Sequence, residues 1–303
     1  MQCVNASSSN ATSLTASRIA PSVVLGLFFV VGIPSNIVAI VMIARHMSTD
    51  RGNFTLKLML NLALSDTLGL ITLPAWIYNM LKGWDLSRGA CQFVGYMIGL
   101  SLFASVLTVT LMSVQRYLTV LYTQCWARLR GTGERVLLVA LWGLAGVIAS
   151  PAIPLRDKVS RYGQLQCRWN YRADGETLAV LFMETLLGFV VPFSILVTSY
   201  FCLHKKVNQT AFFSSQRMTK LVTSIVVTFF IFWSPVHIVI LLQISTIFLK
   251  HSLPETSAKL WALTEVGWDY ASSLMFINSC VNPFLYVFTS RKLRQDAQQE
   301  RAV

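Results

Sequence analysis

Charged residues are scarce in this sequence of 303 residues: they make up 13% of it, whereas hydrophobic residues make up 54%. Soluble domains carry roughly 25% charged residues, so the composition excludes an ordinary soluble domain and indicates a membrane protein. The formal net charge is +12. In a soluble chain such an excess would suggest nucleic-acid binding, but in a membrane protein it indicates positively charged cytoplasmic loops.

Clusters of metal-binding or catalytic side chains are also missing. The six cysteines are scattered, no C-x-x-C occurs, and the four histidines lie far apart. This pattern fits neither a disulfide scaffold nor a zinc site. It contains no nucleophile–base set either, so we expect neither an enzyme nor a bound cofactor. The first 18 residues lack the apolar centre of a cleavable signal peptide.

The stretch from Cys91 to Tyr122 orients the chain, because no charged residue lies between Cys91 and Arg116. A helix of about 30 residues is about 45 Å long, which exceeds the roughly 30 Å hydrocarbon core of a bilayer. The arginine then lies where the cytoplasm begins. The cysteine lies at the opposite, extracellular end, where disulfide bonds form.

Seven apolar segments are each about 20 residues or longer, enough to cross a bilayer as a helix. Their approximate bounds are 19–44, 56–80, 91–122, 135–155, 177–203, 218–247 and 260–288. A short amphipathic segment, Arg291–Gln299, follows them. We therefore predict an all-α membrane fold, a seven-transmembrane helix bundle with a short amphipathic helix 8.

The chain divides into an N-terminal tail (1–18), the seven-span domain (19–290) and helix 8 with a short cytoplasmic tail (291–303). With the N-terminus outside, the cytoplasmic segments carry a net charge of +10 and the external segments +2. This bias favours a multi-pass plasma-membrane protein with an extracellular N-terminus. The polar tail is expected to be disordered, and it contains glycosylation acceptors at Asn5 and Asn10.

Asp66 lies midway along the second apolar segment. A lone carboxylate at that depth costs about 2.5–3.5 kcal/mol, so we expect polar partners. The candidates carry hydroxyl or amide groups: Asn36, Ser105, Asn278 and Asn282. Such a group suits a sodium ion or a hydrogen-bonded network that joins helices, and both descriptions can hold at once.

Pro192, Pro235 and Pro283 interrupt the last three apolar segments. Each proline removes a backbone hydrogen bond, and any one of them alone is compatible with ordinary packing. Three interrupted helices around an uninterrupted third segment indicate elements that can move.

Several motifs, in this order and spacing, resemble the rhodopsin-like (class A) G-protein-coupled receptors from about Gly32 to Leu293. They are GIPSN, NLALSD, QRY, FFIFWSPVH and NPFLY. The resemblance implies a disulfide between Cys91 and Cys167 that tethers the second extracellular loop to the third span.

The same resemblance assigns the residues of an activation switch. Arg116 would turn toward Tyr200 and Tyr286 on activation, and Trp233 would lie under the ligand pocket. Asn282 and Pro283 belong to the NPFLY motif.

The residue before the arginine departs from the family pattern, which has Asp or Glu there. This chain has Gln115. A carboxylate holds the arginine in a local ion pair, whereas an amide offers a neutral hydrogen bond.

Three ligand classes of the family do not fit. Amine receptors have an Asp in the outer third span, where this chain has Ile98, and opsins need a lysine that 260–288 lacks. Chemokine receptors pair an N-terminal cysteine with one in the third extracellular loop; Cys3 is present, but 248–258 contain no cysteine.

Longer phrases are similar to leukotriene B4 receptors, of the type 2 kind in particular. These are LSLFASVL, SVQRY, LFMETLLGFVVPF, KLVTSIVV and SCVNPFLYVFT. This resemblance implies an oxidised fatty acid as agonist, leukotriene B4 or a hydroxy-eicosanoid such as hydroxyheptadecatrienoic acid. It also implies coupling to a heterotrimeric G protein of the Gi class, and chemotaxis as the response.

Basic groups at the mouth of an apolar cavity suit a fatty acid, because arginine pairs with the carboxylate. Arg156 ends the fourth span, and Arg168 and Arg172 follow Cys167. Arg156 could equally be a snorkelling interfacial residue. Gly95 and Asp269 run against a lipid site, since a polar residue at position 95 and a basic one in the seventh span would suit it better.

Other candidate ligand contacts lie within the spans. Glu184 could accept hydrogen bonds from ligand hydroxyls or pair with Arg156, and His237 could bind a hydroxyl or be a satisfied interior histidine. Aromatic side chains that form apolar walls, or simply pack between helices, are Tyr96, Phe103 and Trp268.

Two further readings stay open. A peptide or protein chemoattractant receptor would use the same scaffold, while a transporter or channel is disfavoured because no internal repeat is visible. Residues 291–303 contain no Ser, Thr, Tyr or Cys. Either the sequence is shorter than the natural chain or arrestin binds weakly through loop residues. These loop residues are Thr210, Ser214, Ser215 and Thr219.

Overall fold

The computed structural model describes residues 3–49, 52–129, 131–161, 163–207 and 213–300; for 3–17, 49, 125, 128, 161, 204–207, 213–222, 225 and 285–300 it describes the backbone alone. The helices are α1 (Cys3–Thr49), α2 (Phe54–Ile71), α3 (Leu73–Leu81), α4 (Arg88–Leu121), α5 (Thr123–Leu129), α6 (Thr132–Ala149), α7 (Ala152–Leu155), α8 (Asp174–Thr185), α9 (Val191–Val207), α10 (Phe213–Leu249) and α11 (Pro254–Glu300). A π-helical segment, Leu186–Val190, joins α8 to α9. Strands β1 (Arg156–Arg161) and β2 (Gln164–Trp169) form an antiparallel hairpin.

Six helical stretches of the described chain are long and apolar enough to cross a bilayer, and they overlap the first six predicted segments. They are Arg18–Ser48, Phe54–Leu81, Arg88–Leu121, Thr132–Leu155, Asp174–Leu203 and Val226–Leu249. The seventh predicted segment lies within α11, which packs along α10 and α1. The architecture agrees with the predicted seven-helix bundle.

The helices at both ends of the chain extend further than the sequence predicts. Helix α1 begins at Cys3, so the stretch expected to be disordered continues the first span as helix. Once a span has nucleated a helix, each further residue adds a backbone hydrogen bond at little cost. Residues 291–300 are helical but continue α11 without a break, so helix 8 is not a separate element. The glycosylation sites, Asn5 and Asn10, lie outside the described side chains.

Helix α4 is the central element, with α2, α6 and α9 packed against it. Trp142 of α6 donates its indole N–H to Asn61 Oδ1 of α2 at 2.8 Å, and Asn61 Nδ2 donates to Thr108 Oγ1 of α4 at 2.7 Å. At membrane depth such groups must be satisfied within the protein, so this chain of bonds fixes the three helices together.

The β-hairpin is held over the extracellular end of the bundle. A disulfide joins Cys91, in the first turn of α4, to Cys167 of β2, which confirms the predicted pair. Asn79 of α3 accepts a hydrogen bond from the Cys167 backbone N–H at 2.8 Å. The backbone N–H of Trp84 donates a hydrogen bond to the Leu165 carbonyl at 2.6 Å. The hairpin is therefore anchored to both the second and the third span.

An ion pair with a buried carboxylate links the N-terminal ends of α2 and α6. Lys57 Nζ lies 2.8 Å from Glu134 Oε2, and the Glu134 side chain is 3% exposed while that of Lys57 is 27% exposed. Both residues belong to the cytoplasmic side predicted from the charge bias. Because the carboxylate is almost fully desolvated, it depends on the lysine for compensation.

Replacement of Lys57 by Met should destabilise the bundle, because Glu134 is left as a buried carboxylate without a partner. We expect a loss of at most about 3 kcal/mol, since Lys57 itself is partly exposed. Thermal unfolding of the purified protein in detergent measures this loss. The double variant Lys57→Met/Glu134→Gln should recover most of it, and Lys82→Met, at an exposed lysine, should match wild type. A double variant no more stable than Lys57→Met would show that the pair is unimportant.

Candidate ligand-binding cavity

A cavity of about 430 Å³ lies beneath the hairpin, at the extracellular end of the bundle. Its walls come from α1, α3, α4, α6, α7, α8, α10 and α11, together with both strands. Most wall residues are apolar, with Leu, Ile, Met, Phe and Trp the main types, and a substantial minority are polar or charged. Small-molecule sites have volumes of roughly 300–1,000 Å³ and this same mixture, so the cavity has the size and character of a ligand site.

Arg156 lines this cavity as predicted. Its guanidinium carbon lies over the rings of Trp76, 4.9 Å from the centroid, and Trp169, 4.5 Å from the centroid. The Nε atom is buried without a hydrogen-bond partner. Burial lowers the pKa of Arg156 to about 10, while the nearby Tyr171 and Glu184 raise it. The side chain is therefore a cation at neutral pH, covered by indole rings.

Arg168 also lines the cavity, but it contacts acidic groups of the seventh span. Its Nη1 lies 3.6 Å from Glu265 Oε2 and its Nη2 lies 3.8 Å from Asp269 Oδ1. These contacts join β2 to α11 at the cavity mouth. The contact also explains why an acidic residue, Asp269, stands at the cavity mouth, where the sequence analysis counted it against a lipid site. Its carboxylate compensates the charge of Arg168. Arg172 is exposed and is not a wall residue.

Glu184 and His237 provide polar groups elsewhere in the cavity wall. Glu184 is half-buried and makes no hydrogen bond or ion pair with any described residue, so the direct pairing with Arg156 is not formed. Both ring nitrogens of His237 are buried without hydrogen-bond partners. Its ring stacks on Phe189, with centroids 4.5 Å apart. The alternative of a satisfied interior histidine is therefore wrong for the described chain.

Of the three predicted aromatic walls, Phe103 and Trp268 line the cavity and Tyr96 does not. Tyr96 packs with the fourth span: its hydroxyl would lie 3.0 Å from a Cβ placed at Gly146. The reason is helical phase. Successive residues of a helix point about 100° apart, so position 96 faces α6 because position 95 faces the cavity.

Five aromatic wall residues were not predicted from sequence: Trp76 of α3, Trp169 and Tyr171 of the hairpin segment, and Trp261 and Phe276 of α11. Trp169 and Tyr171 stack with nearly parallel rings, 5.7 Å apart. Burial raises the pKa of Tyr171, so its hydroxyl is protonated at neutral pH. The position of Tyr171 shortly after Cys167 could have indicated that it lines the cavity, because the disulfide holds the residues near Cys167 over the third span.

The Asp66 carboxylate, 1% exposed, accepts three hydrogen bonds. Its donors are Ser105 Oγ at 2.7 Å, Ser279 Oγ at 3.0 Å and Asn282 Nδ2 at 2.8 Å. The sequence identified Ser105 and Asn282, whereas Ser279 was missed although it stands in the same motif. Asn278 makes no hydrogen bond to Asp66.

Asn36 is not a partner of Asp66 either. Its Nδ2 donates to the Gly32 and Ser279 carbonyls, each at 2.9 Å, and so joins α1 to α11. Three side-chain oxygens near this part of the bundle are buried without partners: those of Asn36, Asn278 and Asn282.

Trp233 lines the cavity and is 4% exposed. Its ring contacts Phe229, with centroids 4.9 Å apart, and stacks near His237 at 6.0 Å. The predicted switch residue is thus in contact with a wall residue, so an occupant that moves His237 would also disturb the packing of Trp233.

The cytoplasmic switch residues lie along three helices. Arg116 is half-buried near the end of α4, Tyr200 is exposed on α9, and Asn282 and Pro283 are buried in α11. The Tyr286 side chain lies outside the described residues.

Comparison with known proteins identifies the scaffold. The family described as "7 transmembrane receptor (rhodopsin family)" matches residues 35–286. N-formyl peptide receptor 2 of Macaca mulatta is 30% identical, over 93% of this chain and 83% of its own length. Leukotriene B4 receptor 1 of Homo sapiens is 29% identical, over 91% and 78%. Type-2 angiotensin II receptor of Mus musculus is 28% identical, over 89% and 76%.

Proposed function

Because this chain belongs to the rhodopsin family of seven-transmembrane receptors and acts as a G-protein-coupled receptor of the plasma membrane, we propose that its agonist is an oxidised fatty acid. The agonist class is leukotriene B4 or a related hydroxy-eicosanoid such as hydroxyheptadecatrienoic acid. Signalling runs through the Gi class of heterotrimeric G protein and leads to chemotaxis. Arrestin binds weakly. The loop residues tied to that last expectation lie outside the described side chains.

The proposal depends above all on the position of Arg156 in the cavity wall. The half-buried Arg156 side chain lines a largely apolar cavity, its buried Nε lacks a hydrogen-bond partner, and no described carboxylate lies within ion-pair distance of it. A buried donor left unpaired costs about 1–3 kcal/mol, and more when it is charged. The carboxylate of a fatty acid, hydrogen-bonded to Arg156 Nε, removes this cost. The hydrocarbon chain of the fatty acid then fills the apolar remainder of the cavity.

Glu184 and His237 suit the hydroxyl groups of an oxidised fatty acid. The carboxylate of Glu184 can accept a hydrogen bond, and neutral imidazole has one donor and one acceptor. Neither side chain has a hydrogen-bond partner in the described chain. A hydroxyl supplies both a donor and an acceptor, so it can satisfy either residue, whereas a plain alkyl chain satisfies neither.

A peptide agonist is the second candidate, favoured by the similarity to N-formyl peptide receptor 2. The acidic residues at the mouth would suit a basic peptide if they were available. Both contact Arg168, which lowers their attraction for another cation. Calcium or cAMP responses to an eicosanoid panel and to formylated and unformylated peptides, at matched surface expression, distinguish the two candidates.

We also propose that the Asp66 site takes a sodium ion. A sodium ion requires several oxygen ligands around one negative charge. The Asp66 carboxylate supplies the negative charge, and the hydroxyl oxygens of Ser105 and Ser279 already lie within hydrogen-bond distance of that carboxylate. The unpartnered oxygens of Asn278 and Asn282 can complete such a set.

Gln115 sets the resting state of the receptor in this proposal. It is buried, and its Oε1 accepts a hydrogen bond from Thr55 Oγ1 of α2 at 3.3 Å. The amide is thus bound to the second span, and it lacks the negative charge that would attract Arg116.

Substitution of Arg156 tests the carboxylate contact. Arg156→Ala should reduce the potency of the free acid by on the order of tenfold or more, because a charge-assisted hydrogen bond is lost. Arg156→Lys should lose part of it, since the planar fork is gone. Methyl esters should act equally on wild type and variants. Arg172→Ala, at an exposed arginine, is the control. Unchanged acid potency in Arg156→Ala at normal surface expression would contradict the contact.

Sodium should lower agonist affinity, because the ion and the active helix arrangement compete and their linkage is reciprocal. Radioligand competition in sodium and in choline buffer measures the effect. Asp66→Asn should abolish it, whereas Asp85→Asn, at an exposed carboxylate, should retain it. Equal affinity of the wild type in both buffers would rule out a functional sodium site.

Introduction of a carboxylate at position 115 should lower agonist-free signalling. Gln115→Asp places a carboxylate next to Arg116 in sequence, an attraction worth on the order of 1 kcal/mol at the half-buried arginine, so the active population falls severalfold. Basal G-protein activation at matched expression measures it, with Gln124→Asp, on the exposed face of α5, as control. Identical basal activity in wild type and Gln115→Asp would mean that other contacts fix the resting state.

A further inference from the structure

We propose that Gly95 determines the preference of this receptor for anionic agonists, because the missing side chain at that position is what lets Arg156 lie along the third span. This inference rests on the proposed function, in which Arg156 binds the agonist carboxylate. It reverses the expectation from sequence, where glycine at this position counted against a lipid site.

The space beside Gly95 is occupied by the Arg156 side chain. A Cβ atom built at position 95 would lie 3.0 Å from Arg156 Cγ and 3.2 Å from both Cδ and Nε. These separations are shorter than ordinary carbon–carbon contacts of about 3.5–4.0 Å. Even the smallest side chain at position 95 would therefore press on the arginine along three consecutive atoms.

Arg156 has little freedom to move away. Its guanidinium lies over two indole rings, which belong to Trp76 of α3 and Trp169 of β2. Its backbone begins β1 and pairs in register with Trp169, while the neighbouring position 167 is tied to α4 by the disulfide. A side chain at position 95 therefore forces the arginine to shift by a few tenths of an ångström, which changes where its guanidinium lies between helix and hairpin.

The contact is specific to this glycine. Gly99, about one turn further along α4, faces Ala149, and Gly188 faces Phe103. Among the glycines of the described helices, Gly95 is the one whose nearest neighbouring atoms belong to a charged side chain. Substitution elsewhere would alter packing, but substitution here would also displace the cation that faces the cavity.

Four variants and one control test the proposal: Gly95→Ala, Gly95→Val, Arg156→Ala, the double variant Gly95→Val/Arg156→Ala, and Gly143→Val. A Cβ at Gly143 would meet nothing within 4 Å, so it controls for a valine in a spanning helix. Potencies of hydroxyheptadecatrienoic acid and leukotriene B4, and of their methyl esters, are measured at matched surface expression.

Gly95→Val should reduce the potency of the acids by on the order of tenfold and leave the esters unchanged, with a smaller loss for Gly95→Ala. In the double variant, valine should add no further loss, because its effect passes through Arg156. Gly143→Val should match wild type.

Three outcomes would overturn the inference but not the proposed function. These are equal losses of potency for acid and ester in Gly95→Val, losses of potency that add in the double variant, and wild-type potency of the acids in Gly95→Val. If Arg156→Ala keeps full acid potency, or if wild type responds to neither acid, the proposed function itself is wrong and the inference falls with it.

Discussion

A bilayer supplies no water to polar groups, so each such group inside this bundle must find its partner within the protein. Asp66 shows the constraint: its carboxylate, at the middle of the second span, accepts hydrogen bonds from Ser105 and Asn282 on two other helices. The indole N–H of Trp142 likewise finds its partner within the bundle and donates to Asn61 Oδ1 of another helix. These bonds join helices that hydrophobic burial alone does not hold together, because lipid tails are as apolar as leucine.

Where that constraint is not met, the structure points to function. Arg156 and His237 both face the cavity with buried nitrogens that lack partners in the described chain. The cost of such groups is large in a low-dielectric interior, so a fold that retains them gains something when they are satisfied. Arg168 is a useful contrast, because two carboxylates of the seventh span already lie near it. A cation with an unpaired Nε and a cation paired with carboxylates thus line the same cavity.

The sequence predicts the spans well, because hydropathy over about 20 residues is enough to identify a membrane helix. It also predicts most partners of Asp66 from their chemistry. It does not predict the hairpin, the start of α1 at Cys3, or the continuation of α11 to Glu300, since none depends on a run of apolar residues. The rotation of Tyr96 away from the cavity needs the exact phase of α4, which hydropathy does not supply.

The proposed anchor for an anion comes from the hairpin and two separate helices, which explains why no linear motif marks it. Arg156 supplies the charge from β1, Trp76 and Trp169 cover it from α3 and β2, and Gly95 of α4 leaves the space. The disulfide at Cys167 brings these parts together by fixing the hairpin to α4. Since glycine contributes only empty volume, its role can be recognised only when the neighbouring side chain is in place. An arginine at the end of a span is ambiguous by sequence; packed against a glycine and two indoles, it is held in the cavity rather than at the membrane surface.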